Sequence, residues 1–248
     1  MRKQAAGFLA LVMLMVCIAS LAEAGVSAGN TVIFGKYWQH MKTTTEPADP
    51  EPVSWKVLAV EGDKALLLAE QPLVGMAYNS DEHFLYEVTW ETCSLRAWLN
   101  GVFLDDAFSA EEKRAILPTL VSTPDFVGNG LTVSGGNDTT DLVFLLSVGE
   151  LEKYLRTDES RKCCPTDYAL NTGAVSRWGT YSDDSRKVDT FVDGVSIWWL
   201  RSPGKIGHYA AYCNYTGDIR QDGSYVAESK FCVRPALWVR TSALASGN

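Results

Sequence analysis

Two adjacent tryptophans in an apolar run constrain this chain more than any other feature: Ser196-Ile197-Trp198-Trp199-Leu200-Arg201-Ser202-Pro203-Gly204. The run reads as a buried strand that ends in a tight turn. Neighbouring side chains on a strand point to opposite faces, so Trp198 and Trp199 cannot share one core. One is expected to fill the main core, the other to lie under a loop or line a surface groove. A second run, Phe231-Cys232-Val233-Arg234-Pro235-Ala236-Leu237-Trp238-Val239, closes the chain in the same style. Arg201 and Arg234 interrupt these runs. A buried arginine must be paired, so both are expected to serve as structural salt bridges or carbonyl clamps near the turns. Trp90, Trp198, Trp199 and Trp238 have apolar neighbours and are expected in the core; any that points outward offers a sugar-stacking face.

The start of the chain carries a different signal. Met1-Arg2-Lys3, an apolar stretch from Phe8 to Leu21, and Ala22-Glu23-Ala24 form a secretory signal peptide, expected to be cleaved after Ala24. A spanning helix needs about 20 apolar residues, more than this stretch supplies, and no second such stretch follows. The expected location is therefore secreted, extracellular or cell-surface. Removing Arg2, Lys3 and Glu23 takes the formal net charge from −8 to −9. An acidic chain without a basic stripe is a poor partner for nucleic acid.

Within the expected mature chain, Thr31–Phe34 reads as a short strand. Val53, Trp55, Val57 and Ala59 alternate on one strand face, and Glu61-Gly62-Asp63 turns into a second strand, Lys64–Glu70. Leu95, Trp98, Leu99 and Val102 have helical spacing, with Gly101 as the expected stop. Ser109-x-x-Glu112 and Ser147-x-x-Glu150 have capping-box spacing and predict helices ending before Pro118 and near Leu155. Pro124–Thr140 reads as loop and Leu142–Leu146 as a buried strand. Residues 156–194 form a long irregular stretch, the kind that in a compact domain carries function or disorder. The order predicts one α+β domain over 25–240, mixed and mostly antiparallel, with two or three short helices, long loops and a polar tail over 241–248.

Reactive templates are scarce. There is no Gly-x-Ser-x-Gly elbow, phosphate loop or His-Glu-x-x-His. His40, His83 and His208 are scattered and no Cys-x-x-Cys occurs, so no metal site and no cofactor are expected. The mature cysteines are Cys93, Cys163, Cys164, Cys213 and Cys232, an odd number that leaves at least one thiol over in an oxidising compartment. Adjacent Cys163 and Cys164 are poorly placed to pair with each other.

The motifs Trp55-Lys56-Val57-Leu58, Thr89 to Asn100, Phe144-Leu145-Leu146-Ser147, Trp198 to Gly204 and Val233 to Trp238 resemble a widespread family of exported bacterial domains of unknown function. That family is similar to the C-type-lectin-like fold, shared with formylglycine-generating enzymes and hypervariable receptors. The resemblance implies that the first and last strands pair and that late strands carry ligand loops. It places ligand contacts on Tyr209, Tyr212, Asn214, Tyr215, Asp218, Arg220, Asp222 and Tyr225, a mixture typical of adaptable binding surfaces. The implied partner is a glycan or an extracellular protein. Calcium-dependent sugar binding is not implied, because the Glu-Pro-Asn and Trp-Asn-Asp motifs are absent. The alternatives are an oxidase holding copper on Cys213 and Cys232, or a purely structural surface protein. A Cys213–Cys232 disulfide is the more economical expectation, with Cys93 and Cys163 (or Cys164) as a second pair.

Overall fold

The computed structural model describes residues 25–80, 87–174 and 194–244. The expected leader (1–24), His83, residues 175–193 of the irregular stretch and tail residues 245–248 lie outside the described residues.

The expected hairpin is the centre of the first sheet. β1 (Thr31–Tyr37), β2 (Glu51–Glu61) and β3 (Lys64–Ala69) form an antiparallel meander. Val53, Trp55 and Val57 are buried on one face, but Ala59 is only half-buried, because the β2–β3 register shifts between Val57 and Ala59. Trp55 donates its Nε1 proton to Phe34 O at 2.7 Å, tying the indole to the neighbouring strand. β1 bulges between Ile33 and Lys36, with Gly35 at φ +66°. A Cβ there would lie 2.6 Å from the Phe108 ring, so glycine is what lets the helical layer approach the sheet.

Beyond β4 (Val74–Gly75), that layer begins with α1 (Ser94–Trp98) and α2 (Leu104–Ala107). Gly101 does not stop the helix. It sits in a π-helical turn, Leu99–Phe103, which joins α1 to α2. The wider turn buries Leu95, Leu99 and Phe103 at four-residue steps and turns Val102 outward, 55% exposed. α3 (Ala110–Ala115) follows the expected capping box, and Glu112 also accepts the Gly35 N–H at 3.0 Å, anchoring the cap to β1. Phe34–Phe108 and Tyr37–Phe103 contacts, at 5.3 and 5.0 Å between centroids, join the two layers.

The stretch expected as loop contains three short strands. β5 (Thr119–Val121) pairs with β8 (Thr139–Asp141), and β6 (Phe126–Gly128) pairs with β7 (Leu131–Val133). The β6–β7 turn is Asn129-Gly130, both at positive φ, the two-residue turn that matches strand twist. Leu142–Leu146 forms no named strand. Phe144 makes a two-way bridge to Ala236 at 2.9 and 2.7 Å, and Leu146 O accepts from Arg201 N, so the segment bonds to both main sheets. α4 (Val148–Tyr154) forms from the second capping box, followed by α5 (Asp158–Arg161) and α6 (Asp167–Asn171).

The second sheet holds the late strands: β9 (Trp198–Pro203), β10 (Tyr209–Cys213), β11 (Ile219–Tyr225) and β12 (Cys232–Val233), in the order β11-β10-β9-β12-β4. Only β9 and β12 run parallel within it. β13 (Ala236–Arg240) returns to the first sheet, whose order is β1-β2-β3-β13. Two features depart from expectation. β1 and β13 occupy opposite edges rather than pairing. The run 231–239 is not one strand: Arg234-Pro235 carries it from one sheet to the other. One buried cluster extends through both sheets, giving a mostly antiparallel α+β fold with short helices.

Candidate functional site

Both tryptophans of β9 are buried, and neither lines a groove. Trp199 donates to Met76 O at 3.0 Å and stacks on Phe231 with centroids 4.0 Å apart. Trp198 donates to Arg161 O at 3.3 Å, under α5, and carries the Arg234 guanidinium 5.0 Å above its ring. Arg234 donates to Ala69 O, Glu70 O and Arg161 O, holding the crossover between the sheets. Trp238 is half-buried with Lys64 Nζ over its ring, and Trp90 donates to the buried carboxylate of Asp141. Asp141 is also the ion-pair partner of Arg96, at 2.7 Å; Glu91 offers Arg96 only its backbone carbonyl.

Arg201 is 3% exposed and bonds three segments at once. Its guanidinium donates to Leu145 O at 2.7 Å, to Ser122 O at 2.9 Å and to the Glu150 carboxylate at the start of α4. Ser202 Oγ accepts the Val148 N–H at 3.0 Å, so consecutive residues of β9 fix the first turn of α4.

That arrangement builds one wall of an open cleft of about 350 Å³. Ser202 and Pro203 of β9, Gln221 of β11, the first turn of α4 and Phe126 and Val127 of β6 line it. Val127 is 77% exposed. The cleft thus combines an apolar lip with amide, hydroxyl and carboxylate groups. Such a mixture can hold an amphipathic ligand by apolar contact and hydrogen bonds.

The eight residues of the implied ligand surface do not form one face. Tyr209 is directly opposed to Tyr225, and the His208 ring meets both edge-on at 5.3 and 5.8 Å. Tyr212 is opposed to Arg220 on one side and Trp199 on the other, and it packs edge-on against Phe231. A register irregularity between Ala210 and Tyr212 separates the two groups. Asn214 is 6% exposed and is a turn staple: its Oδ1 accepts from Thr216 N, Thr216 Oγ1 and Asp218 N. Tyr215 lies in the same turn. Asp218 pairs with Arg220 at 3.3 Å, and Asp222 with Lys205 at 3.2 Å. Gln221, which sequence reasoning passed over, is the residue of this hairpin that reaches the cleft. Phe126 and Val127 were equally hidden, although Asn129-Gly130 signals their hairpin.

Cys93, Cys163, Cys164, Cys213 and Cys232 are free thiols, and only Cys164 is exposed. The expected Cys213–Cys232 disulfide is precluded by topology. Both residues pair in register with Trp198, from β10 and from β12, so a whole strand separates them. Two strand spacings amount to about 9.5 Å between Cα atoms, beyond the roughly 7 Å a disulfide tolerates. Burial pushes both thiols up to about 12, which opposes their acting as thiolate ligands or nucleophiles at neutral pH. Cys93 is instead the N-cap of α1, accepting from Arg96 N and donating to Trp90 O. Among the described residues, no group of three or more His, Cys, Asp or Glu is placed to hold a metal ion. No helix among them is long and apolar enough to cross a membrane.

Residues 62–241 match the model of a family described as a domain of unknown function, DUF6273. No curated protein and no solved structure matches the chain.

Proposed function

We propose that this chain, which belongs to the DUF6273 family of domains of unknown function, is an exported, non-catalytic binding module that holds an extracellular glycan or protein segment in the cleft between β11 and β6. The observation that carries the reading is the meeting of exposed Val127 and Gln221 with Ser202 and Pro203 at the end of β9, at an open cleft beside which Arg201 ties β9 to the start of α4. A preformed cleft with an apolar lip binds without ordering its own backbone first. The C-type-lectin-like resemblance supports the use of late strands for contacts, while β1 and β13 on opposite edges set this fold apart from the pairing it implies. The surface is accordingly centred on Gln221 and the ends of β9 and β6.

The test is a glycan array and an array of extended peptides, probed with the mature chain and with the double variant Val127→Ser, Gln221→Ala. The reading expects one array to give saturable binding that the double variant weakens at least tenfold at unchanged melting temperature. Equal binding by both proteins refutes the cleft, and no binding on either array refutes the module. N-terminal sequencing of the protein recovered outside the producing cell tests export: Gly25 is expected first.

A further inference from the structure

Arg234 is 3% exposed, yet among the described residues no carboxylate lies within ion-pair distance of it. Its hydrogen bonds go to uncharged carbonyls, Ala69 O at 2.7 Å, Glu70 O at 3.2 Å and Arg161 O at 3.5 Å, and the Trp198 ring covers one face. A guanidinium carries five N–H donors in one plane, so one proton on each terminal nitrogen has no acceptor among the described residues. A buried cation without a counter-charge is costly, and carbonyl dipoles offset only part of that cost. Arg234 lines a second open cleft, of about 250 Å³, together with Lys56 of β2, Glu70 at the end of β3, and Glu159 and Lys162 at α5. Its bond to Glu70 O is the one of the three that is only part-buried. The Lys56 ammonium likewise makes no hydrogen bond or ion pair among the described residues. Lys162 pairs with Glu159 at 2.6 Å, and Glu70 accepts from Thr31 Oγ1 at 2.7 Å. Three cations against two carboxylates leave this cleft one positive charge over, and it shares no lining residue with the cleft between β11 and β6.

We propose that this second cleft is a separate ligand site, which takes a small, singly charged carboxylate bearing hydroxyl groups, the chemistry of a sugar acid. The carboxylate accepts from the unused edge of the Arg234 guanidinium and from the Lys56 ammonium, both charge-assisted bonds. Binding in the plane of the guanidinium leaves the Trp198 ring on its face undisturbed. One negative charge completes the balance, whereas a dianion such as phosphate overshoots it beside Glu70 and Glu159. Those two carboxylates and the Gln71 amide, whose Nε2 also reaches Cys164 O at 3.4 Å, serve the hydroxyl groups.

The test titrates the isotope-labelled mature chain with sodium glucuronate and follows backbone amide shifts by NMR, with sodium chloride holding the ionic strength constant. Saturable shifts are expected at Glu70, Gln71 and Glu159 and none at Val127 and Gln221; glucose is expected to move none of them. Lys56→Gln is expected to weaken glucuronate binding about tenfold at unchanged melting temperature, the worth of one charge-assisted hydrogen bond. Glu70→Gln, which removes a competing negative charge, is expected to tighten it. Arg234→Lys keeps the charge but not the fork, and is expected to weaken binding while lowering the melting temperature, because Arg234 also holds the crossover. Lys56→Gln and Glu70→Gln decide the matter even if that variant fails to fold. No saturable shift, an equal response to glucose, unchanged affinity in Lys56→Gln, or tighter binding of inorganic phosphate than of glucuronate would each overturn the proposal.

Discussion

Replacing Arg201 by Met tests how the cleft wall is held. The substitution keeps most of the aliphatic stem and removes a guanidinium that is buried and bonded to three segments. Leu145 O, which is buried, and Ser122 O, which is part-buried, lose this donor, at about 1–1.5 kcal/mol each. The Glu150 carboxylate is one-third exposed and keeps its bond to Ser147 N, so loss of its ion pair adds only about 0.5–1 kcal/mol. Among the described residues Arg201 Nε has no hydrogen-bond partner, and removing it returns part of the cost. The net expectation is a loss of about 2–3 kcal/mol, or roughly 4–12 °C in melting temperature for a domain of this size. Arg201→Lys, which retains the charge but not the planar fork, should lose about half as much. Urea unfolding followed by tryptophan fluorescence measures both, and the denaturant slope should stay constant. A loss below about 1 kcal/mol for Arg201→Met refutes the view that this residue fixes α4 and the cleft.

Asp141→Ala removes the acceptor shared by Trp90, Thr139 and Arg96, so it should destabilise by about 3–5 kcal/mol, whereas Asp105→Ala at an exposed pair should cost under about 0.5 kcal/mol. Chemical denaturation distinguishes them, and equal effects refute the network. The hydrogen bond to Asp167, with the nearby Glu51 charge, raises the His40 pKa above its ordinary value. Its contribution to stability is therefore complete below the unfolded-state pKa and is lost as pH rises through the folded-state value. Asp167→Asn should lower the His40 midpoint in an NMR titration, and an unmoved midpoint removes the coupling. Gly217→Ala puts a Cβ 1.9 Å from Asp158 O at φ +84°, and should cost at least about 2 kcal/mol. Gly62→Ala, at φ +62° in open space, should cost about 1 kcal/mol in the same melting experiment.

What was legible in the sequence was local. The hairpin 53–69 and the helices after Ser109 and Ser147 are written in alternation and capping spacing, and they form as expected. Gly101 misled because a π-helical turn, which has no strong sequence mark, changes the phase of the helix around it. Asn129-Gly130 was overlooked because its flanking strands are three residues long and largely exposed, so alternation had little to show. The disulfide expectation failed for a reason sequence order conceals: β9 lies between β10 and β12 although both follow it in the chain. Asn214 looked like a ligand contact because a polar residue among tyrosines reads the same whether it faces solvent or staples its own turn.

The crossover at Arg234-Pro235 has a consequence for the order of assembly. β12 fills the gap between β9 and β4, and β13 completes the edge beside β3, so residues 232–240 finish two sheets in one short stretch. Synthesis delivers this stretch only after every strand that flanks it. A nascent chain ending at residue 231 therefore holds two incomplete sheets, with β4 lacking its neighbour and β3 exposing one edge. Neither gap can be closed by local rearrangement, because the contacts of β12 with β4 and of β13 with β3 span more than 150 residues. The molecule behaves like a seam closed by a single final stitch, and its folding should be all-or-none and slow compared with that of its separate hairpins.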